Sequence, residues 1–335
     1  MEEPLDARLV ATNFDVEFIS RLTKNAIFSQ YRFFTFQEVA LVQELVDKCE
    51  IFLANIEYPL TEEVLGHFTS LKYLISPATG TTHIDLEHLS RKNVDLISIS
   101  SRREITDKIS SSSEFAWGLF IALHRGIVLA ERKGHRYPEH RNIYWSSQIT
   151  SLKIGIIGFG RIGRQILNYA KVFGAQVMVF DQFLKVEDDA VEEVSLEILL
   201  RESDAVFITA SVGKNVRESM ILDANRIKLL GSSSIVVNVS RGCLVDEVSL
   251  LDALRRGNLR GYATDVLSSC DLEASKSTSM TELQIEKAMS EGLNLVVTPH
   301  IAGASEDALE MILFQLFLEL ERLLLNSRSK LHAGE

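Results

Sequence analysis

"KIGIIGFGRIGRQILNYAKVFGAQVMVFD", residues 153–181, decides how this chain is read. An apolar run from Lys153 to Ile157 ends at three glycines, Gly158, Gly160 and Gly163, and a helical pattern follows through about Phe173. A second apolar run, "QVMVF", then closes on an acid, Asp181. The first glycine makes the tight turn out of the strand, the second lets a diphosphate approach the backbone, and the third lets helix and strand pack closely. The N–H groups at the helix start and the positive end of its dipole hold the diphosphate. A carboxylate ending the second strand accepts the two adenosine ribose hydroxyls and repels a 2′-phosphate. The segment therefore predicts a dinucleotide-binding unit that prefers NAD to NADP. A glycine turn alone is weak support. The strand before it, the helix after it and an acid about 20 residues on carry the reading together.

Downstream, "DAVFITA" (204–210), "SIVVNVS" (234–240), "GYATDV" (261–266) and "LNLVVTP" (293–299) read as further parallel strands, each ending in polar residues. Ligands of open parallel sheets bind at those carboxyl ends, so Arg241, Asp265 and His300 are expected along one edge with the cofactor. Upstream, "IFLANI" (51–56), "LKYLIS" (71–76) and "VDLISIS" (94–100) alternate with charged helical stretches such as "FQEVALVQELVDKC" and "LTEEVLGHF". That alternation predicts a second doubly wound parallel sheet. "SSSEFAWGLFIALHRGIVLAER" (111–132) predicts one long helix with serines at its start, and "KGHRYPEHRNIYWSSQITS" (133–151) reads as loop. The fold class is α/β, with two doubly wound parallel-sheet domains, one of them a Rossmann dinucleotide-binding domain.

Length and charge narrow the function. A chain of 335 residues is long for a single core, which makes two domains the expectation. A formal charge of −11 argues against nucleic acid and anionic membranes, whose binding needs a basic surface. No apolar run reaches the roughly 18 residues of a membrane helix, and "MEEPLDARLV" lacks the basic-then-apolar pattern of a secretory leader. The three cysteines, Cys49, Cys243 and Cys270, have no metal-type spacing. A cytoplasmic protein without a metal site is expected.

The segments "GIIGFGRIGRQI", "NVSRGCLVDEVSLLDALRRGNLRGYATDV" and "VVTPHIAGAS" together resemble the D-isomer-specific 2-hydroxyacid dehydrogenases. That family includes phosphoglycerate, glycerate and D-lactate dehydrogenases and also the C-terminal-binding corepressors. The resemblance spans residues 50–320. It implies a flavodoxin-like substrate domain made of residues 1–110 and 302–335, completed by the last helix, "ALEMILFQLFLELERLLL", and an NAD-binding Rossmann domain of residues 111–301. It also implies a homodimer with the 111–132 helix at the interface. Carried over by position, Arg241 binds the carboxylate and polarises the keto oxygen of a small 2-keto acid substrate, a fork geometry suited to both tasks. Thr79 and Gly80 hold the carboxylate through backbone N–H groups, and Asn55, with Glu57 and Tyr58, faces the substrate's tail. Arg161 and Ile162 cover the pyrophosphate, Ala210, Ser211, Val239 and Ser240 border the cofactor, and Asp265 bonds the nicotinamide carboxamide. His300 is the general acid/base, giving a proton to the keto oxygen while NADH delivers hydride.

One position departs from the family. The glutamate that holds the imidazole should stand five residues beyond Asp265, where this chain has Cys270. A thiol is uncharged at neutral pH and bonds weakly, so His300 should drift toward an imidazole's ordinary titration unless Asp271 or Glu273 takes over. Two functions follow. The retained Arg241 and His300 favour an NAD-dependent 2-keto-acid reductase. The missing glutamate favours an NAD(H)-binding regulatory protein with weak or no turnover.

Overall fold

The computed structural model of the protein describes residues 8–22, 24–35, 43–55, 59–81, 83–100, 102–135, 137–186, 191–212, 220–267 and 280–332. The chain forms two compact units, Met1–Ile109 with Ser305–Glu335, and Ser110–Ala304. Every strand pairing in both is parallel.

The first unit contains β1 (Arg8–Thr12), β2 (Tyr31–Thr35), β3 (Ile51–Leu53), β4 (Tyr73–Ser76) and β5 (Asp95–Ser98), in the spatial order β2-β1-β3-β4-β5. This is the flavodoxin-like order, and its winding reverses between β1 and β3. β1 and β2 are additional to the three strands expected before residue 110. The expected helix over 36–49 is described as Gln43–Lys48. The last helix, Glu306–His332, packs on one face of the sheet through Leu313, Leu316, Phe317 and Leu320, a helical spacing that puts all four on one stripe. Phe317 is fully buried, its ring edge-on to Phe28 at 4.9 Å and to Tyr31 at 5.0 Å. Phe34, Val46, Phe52 and Leu74 fill the opposite face.

The second unit contains β6 (Lys153–Ile157), β7 (Gln176–Phe180), β8 (Glu192–Glu193), β9 (Ala205–Ile208), β10 (Ile235–Asn238), β11 (Gly261–Thr264) and β12 (Leu295–Val297). Their order, β12-β11-β10-β9-β6-β7-β8, is the Rossmann order with one more edge strand. β9, β10 and β11 are buried along their whole length, which is why they read as continuous apolar runs rather than alternating ones. The winding reverses between β6 and β9.

The stretch expected as one long helix is two, Ser111–His124 and Ile127–Arg132. Gly126 breaks it in a left-handed conformation, where an added methyl would stand 2.8 Å from Cδ1 of Tyr144. The segment expected as loop contains two short 3-10 helices, Pro138–Tyr144 and Ile149–Ser151. It is tied down from far along the chain. His124 Nε2 bonds the Ser147 carbonyl at 2.8 Å, and Arg260 donates to the carbonyls of His124 and Trp145. Burial holds the His124 imidazole below its ordinary titration range.

Phe317→Ala should destabilise the first unit by about 3–5 kcal/mol, the cost of a cavity under a fully buried ring. Urea unfolding followed by far-UV circular dichroism measures it. An unchanged midpoint would remove the last helix from that core.

Candidate active site

Strand β6 ends at Gly158, whose φ of +94° lies outside the regions open to L side chains. A methyl on it would stand 2.4 Å from the Cα and N of Ala210, just beyond β9. Gly163 is equally confined, because an added carbon would lie 2.3 Å from the Gly158 carbonyl oxygen. Gly160 is different. Nothing lies within 4 Å of its Cβ position, and as the residue before the helix Arg161–Val172 it offers the first turn no side-chain cap. That turn begins with the N–H groups of Arg161, Ile162 and Gly163, which have no acceptor within the helix. Two glycines are therefore demanded by the protein's own packing, and the third leaves open ground in front of a helix start. A diphosphate fits that ground and the dipole behind it.

Asp181 closes β7 and is half-buried. Its Oδ2 accepts the Phe159 N–H at 2.7 Å, and its Oδ1 accepts the N–H groups of Phe183 at 2.8 Å and Leu184 at 2.9 Å. Phe159 is fully buried, with the Arg164 guanidinium 4.4 Å over its ring. The acid thus holds the glycine turn as well as ending the strand.

Along the other strand ends one contact leads to the next. Thr209 Oγ1 donates to the Gly158 carbonyl at 2.6 Å. Ser240 Oγ donates to the Ala210 carbonyl, and the Ser240 N–H donates to Asn238 Oδ1 at 3.0 Å. Asn238 Nδ2 in turn bonds the Arg241 carbonyl at 2.9 Å. Val239 is buried and Ser211 exposed. The half-buried Arg241 donates from Nη1 to the Ser240 carbonyl at 2.7 Å. Asp265 follows β11, 1% exposed, and its N–H bonds the Asn238 carbonyl at 3.0 Å. Its carboxylate accepts Thr298 Oγ1 at 2.5 Å and the N–H groups of Ile301 at 2.9 Å and Ala302 at 2.7 Å. Between those partners lies His300, exposed and with φ +56°. Among the described residues only Asn93 shares that left-handed backbone without being glycine. Such a conformation costs about 1–3 kcal/mol and persists only where its surroundings enforce it.

The structure thus joins Gly158, Ala210, Ser240, Arg241, Asp265 and His300 through contacts along the carboxyl edge of one sheet. Thr209, Asn238 and Thr298 belong to the same chain of contacts and escaped the sequence reading. Their signal is a polar side chain closing an apolar run, as in "FITA", "VVNVS" and "VVTP". Asn55, Thr79 and Gly80 belong to the first unit, beyond β3 and β4. Asn55 pairs with Asn13, which follows β1: Asn13 Oδ1 accepts the Asn55 N–H at 2.5 Å and Nδ2 donates to its carbonyl at 3.2 Å. Glu57, Tyr58, Cys270, Asp271 and Glu273 lie outside the described residues. Among the described residues no group of three or more metal-binding side chains comes together, and no helix is long and apolar enough to cross a membrane.

A Rossmann-ordered sheet with a dinucleotide turn at its switch point, in one chain with a flavodoxin-like unit, defines the class. Residues 117–302 match the model of the D-isomer specific 2-hydroxyacid dehydrogenase NAD binding domain, and residues 9–106 match the catalytic domain of the same family. The chain belongs to this family of NAD-dependent dehydrogenases. It is 28% identical to the glycerate dehydrogenase of Methylorubrum extorquens, over 82% of this chain and 83% of that one. Identity to the D-3-phosphoglycerate dehydrogenase of Methanocaldococcus jannaschii is 26%, over 79% of this chain and 48% of that protein, so the chain spans about half its length. The fold matches the crystal structure of the Aquifex aeolicus D-lactate dehydrogenase complexed with NAD and lactic acid, with a TM-score of 0.75 at 23% identity, covering 97% of this chain and 98% of the other.

The two kinds of glycine should separate in solution. Gly160→Ala should stay within about 1 kcal/mol of the native free protein, the size of a change in cap residue, while weakening NADH binding. Gly158→Ala should destabilise the free protein by more than about 1 kcal/mol, because it forces a side chain into a disfavoured backbone against a wall. Calorimetry and NADH fluorescence titration read the two quantities. Parallel losses in both variants would contradict the distinction.

Proposed function

We propose that the chain reduces a small 2-keto acid, and oxidises the matching D-2-hydroxy acid, with NAD(H) as its redox partner. The observation that carries this reading is the run of polar contacts from the Gly158 turn to Arg241 and His300 along one sheet edge. When bound, the nicotinamide cofactor supplies or takes the hydride. Arg241 holds the substrate carboxylate and polarises the 2-keto oxygen with its planar fork. His300 gives a proton to that oxygen in reduction and removes it in oxidation. The open ground at Gly160 and the helix start at Arg161 and Ile162 receive the diphosphate, with Ala210, Ser211, Val239 and Ser240 beside the rest of the cofactor. Asp181 accepts the adenosine ribose hydroxyls, and its charge disfavours a 2′-phosphate. In the first unit Thr79 and Gly80 bind carboxylate through their N–H groups, and Asn55 meets the substrate's tail. The first unit is then the substrate domain and the second the NAD-binding domain.

The working form is proposed to be a cytoplasmic homodimer. Ile127, Tyr137, Ile143 and Trp145, all exposed and all within 18 residues of one another in the second unit, support an interface there. Sedimentation of the full chain tests the assembly state.

Turnover of pyruvate, glyoxylate and hydroxypyruvate tests the chemistry. NADH should support reduction better than NADPH. Arg241→Ala should act mainly by raising KM and His300→Ala mainly by lowering kcat, the latter by about 10²-fold or more, with NADH binding retained. Near-native turnover in either variant removes that residue's role. Cys270 favours a second reading, an NAD(H)-binding regulator, which takes the lead if the native chain binds NADH and reduces no 2-keto acid.

The cysteine also sets an expected pH dependence. If Cys270 takes the place of the glutamate and no other carboxylate serves His300, the protonated imidazole is lost as pH rises through the range of an ordinary imidazole, and the reduction rate falls with it. Cys270→Glu should move that fall to higher pH, because a negative neighbour favours the charged imidazole. A native profile already flat to pH 8 would mean that another carboxylate serves, Asp271 or Glu273 being nearest in sequence.

A further inference from the structure

In the first unit the ladder between β1 and β3 ends at Thr12 and Leu53, the two strands between which the winding of that sheet reverses. Ligands of such sheets bind beyond the strand ends at that place. Thr12 is fully buried and secures the exit of β1, its Oγ1 donating to the Leu53 carbonyl at 3.0 Å and accepting the Phe14 N–H at 3.1 Å. Beyond Leu53, the Ala54 N–H donates to the Ile75 carbonyl of β4 at 2.8 Å. Asn55, next along, turns its backbone to the β1 side, where the ladder has already ended. One side chain stands in for the missing strand: Asn13 Oδ1 accepts the Asn55 N–H at 2.5 Å, and Nδ2 donates to the Asn55 carbonyl at 3.2 Å. An amide carries a donor and an acceptor on one small plane, so both backbone groups are satisfied at once. The Asn55 side chain takes no part in this arrangement, and no bond to it occurs among the described residues.

We propose that Asn13 is a positioning residue that sets substrate specificity: it splints the backbone of Asn55, so that the unbonded Asn55 amide meets the substrate's tail from a fixed place. The proposal rests on the reading that Asn55 faces that tail. A group held before the ligand arrives loses less freedom on binding, which is where the splint gains affinity. A neutral amide suits a tail hydroxyl, which is itself donor and acceptor, and offers nothing to a tail of one hydrogen. Asn13 therefore separates 2-keto acids by their tails and leaves alone the carboxylate and keto end that all of them share.

The test compares the native full chain with Asn13→Ala, Asn13→Asp, Asn55→Ala and the Asn13→Ala/Asn55→Ala pair. In the free protein, amide hydrogen exchange at Asn55 should quicken in Asn13→Ala, while Ala54, held by β4, stays protected. Unchanged exchange at Asn55 overturns the splint, and lost protection at both residues would leave Asn13 a structural residue only. With NADH, the KM for hydroxypyruvate should rise about tenfold in Asn13→Ala, the scale of one lost hydrogen bond, with kcat within about threefold of native. The KM for glyoxylate, whose tail is one hydrogen, should move by less than about threefold. A structural role would raise both KM values alike, and that result also overturns the proposal. In the Asn55→Ala background, Asn13→Ala should shift the ratio of the two KM values by less than about threefold, since the group it positions is gone. A full shift there would mean that Asn13 does not act through Asn55. Asn13→Asp keeps the acceptor but turns an oxygen toward the Asn55 carbonyl, so exchange should stay slow and the hydroxypyruvate KM should rise by a smaller factor. It carries the test alone if Asn13→Ala does not fold, and a native KM for hydroxypyruvate in it would then overturn the splint. If the native chain reduces neither acid, the enzyme reading fails by itself, and exchange at Asn55 still decides whether Asn13 holds that backbone.

Discussion

A methyl group on Gly158 would stand 2.4 Å from the backbone of Ala210, closer than real side-chain atoms come. The ends of β6 and β9 can approach this closely only because nothing occupies that position. At this place the sheet reverses its winding, with β7 and β8 laid to one side and β9 to β12 to the other. The approach brings Thr209 within reach of the Gly158 carbonyl, and Ser240 within reach of Ala210. Arg241 follows Ser240 directly, and Asn238 links that turn to Asp265 and so to the histidine loop. One missing Cβ thus sets the spacing of a whole row of polar residues.

Two acids at strand ends share a second principle. Asp181 accepts three backbone N–H groups, one from the glycine turn and two from its own following residues. Asp265 accepts two N–H groups and a hydroxyl from the segment after β12. The sequence pattern assigns the first carboxylate to the cofactor, and the family resemblance assigns the second. The fold first uses them as staples, since charge-assisted bonds to N–H groups are about twice as strong as neutral ones. A loop held this way keeps its ligand-facing groups in place before any ligand arrives, so less ordering remains to be done on binding.

The legible part of the molecule was the part written in glycines and apolar runs. Buried parallel strands read as unbroken hydrophobic segments, and β6 to Asp181 carried turn, helix and acid in one stretch. β1 and β2 escaped because charge interrupts them, Arg8 opening the first and Arg32 alternating with apolar neighbours in an edge strand. Asn13 escaped with β1, and with it the pair it forms with Asn55. The break at Gly126 was hidden inside an apolar run, because a glycine there is decided by Tyr144, 18 residues on. The place of Asp265 at the carboxyl edge of the sheet was legible, but its partners were not. Ile301 and Ala302 donate from the backbone, and a backbone N–H has no letter of its own in a sequence.

The overall charge of −11 runs against the proposed site for anionic ligands, and magnitudes resolve this. Exposed charges more than about 8 Å away are largely screened at physiological salt, so most of the acidic surface contributes little at the site. Close by, a helix start is worth about 0.3–1 kcal/mol to an anion, and each hydrogen bond to a charged group about 1.5–3 kcal/mol. On the proposed function, the first turn at Arg161 to Gly163 and the guanidinium of Arg241 would supply both kinds of contact along one sheet edge. Local donors therefore outweigh the molecule's net sign for a small anion. For a long polyanion, which would lie across the acidic surface as well, the balance reverses.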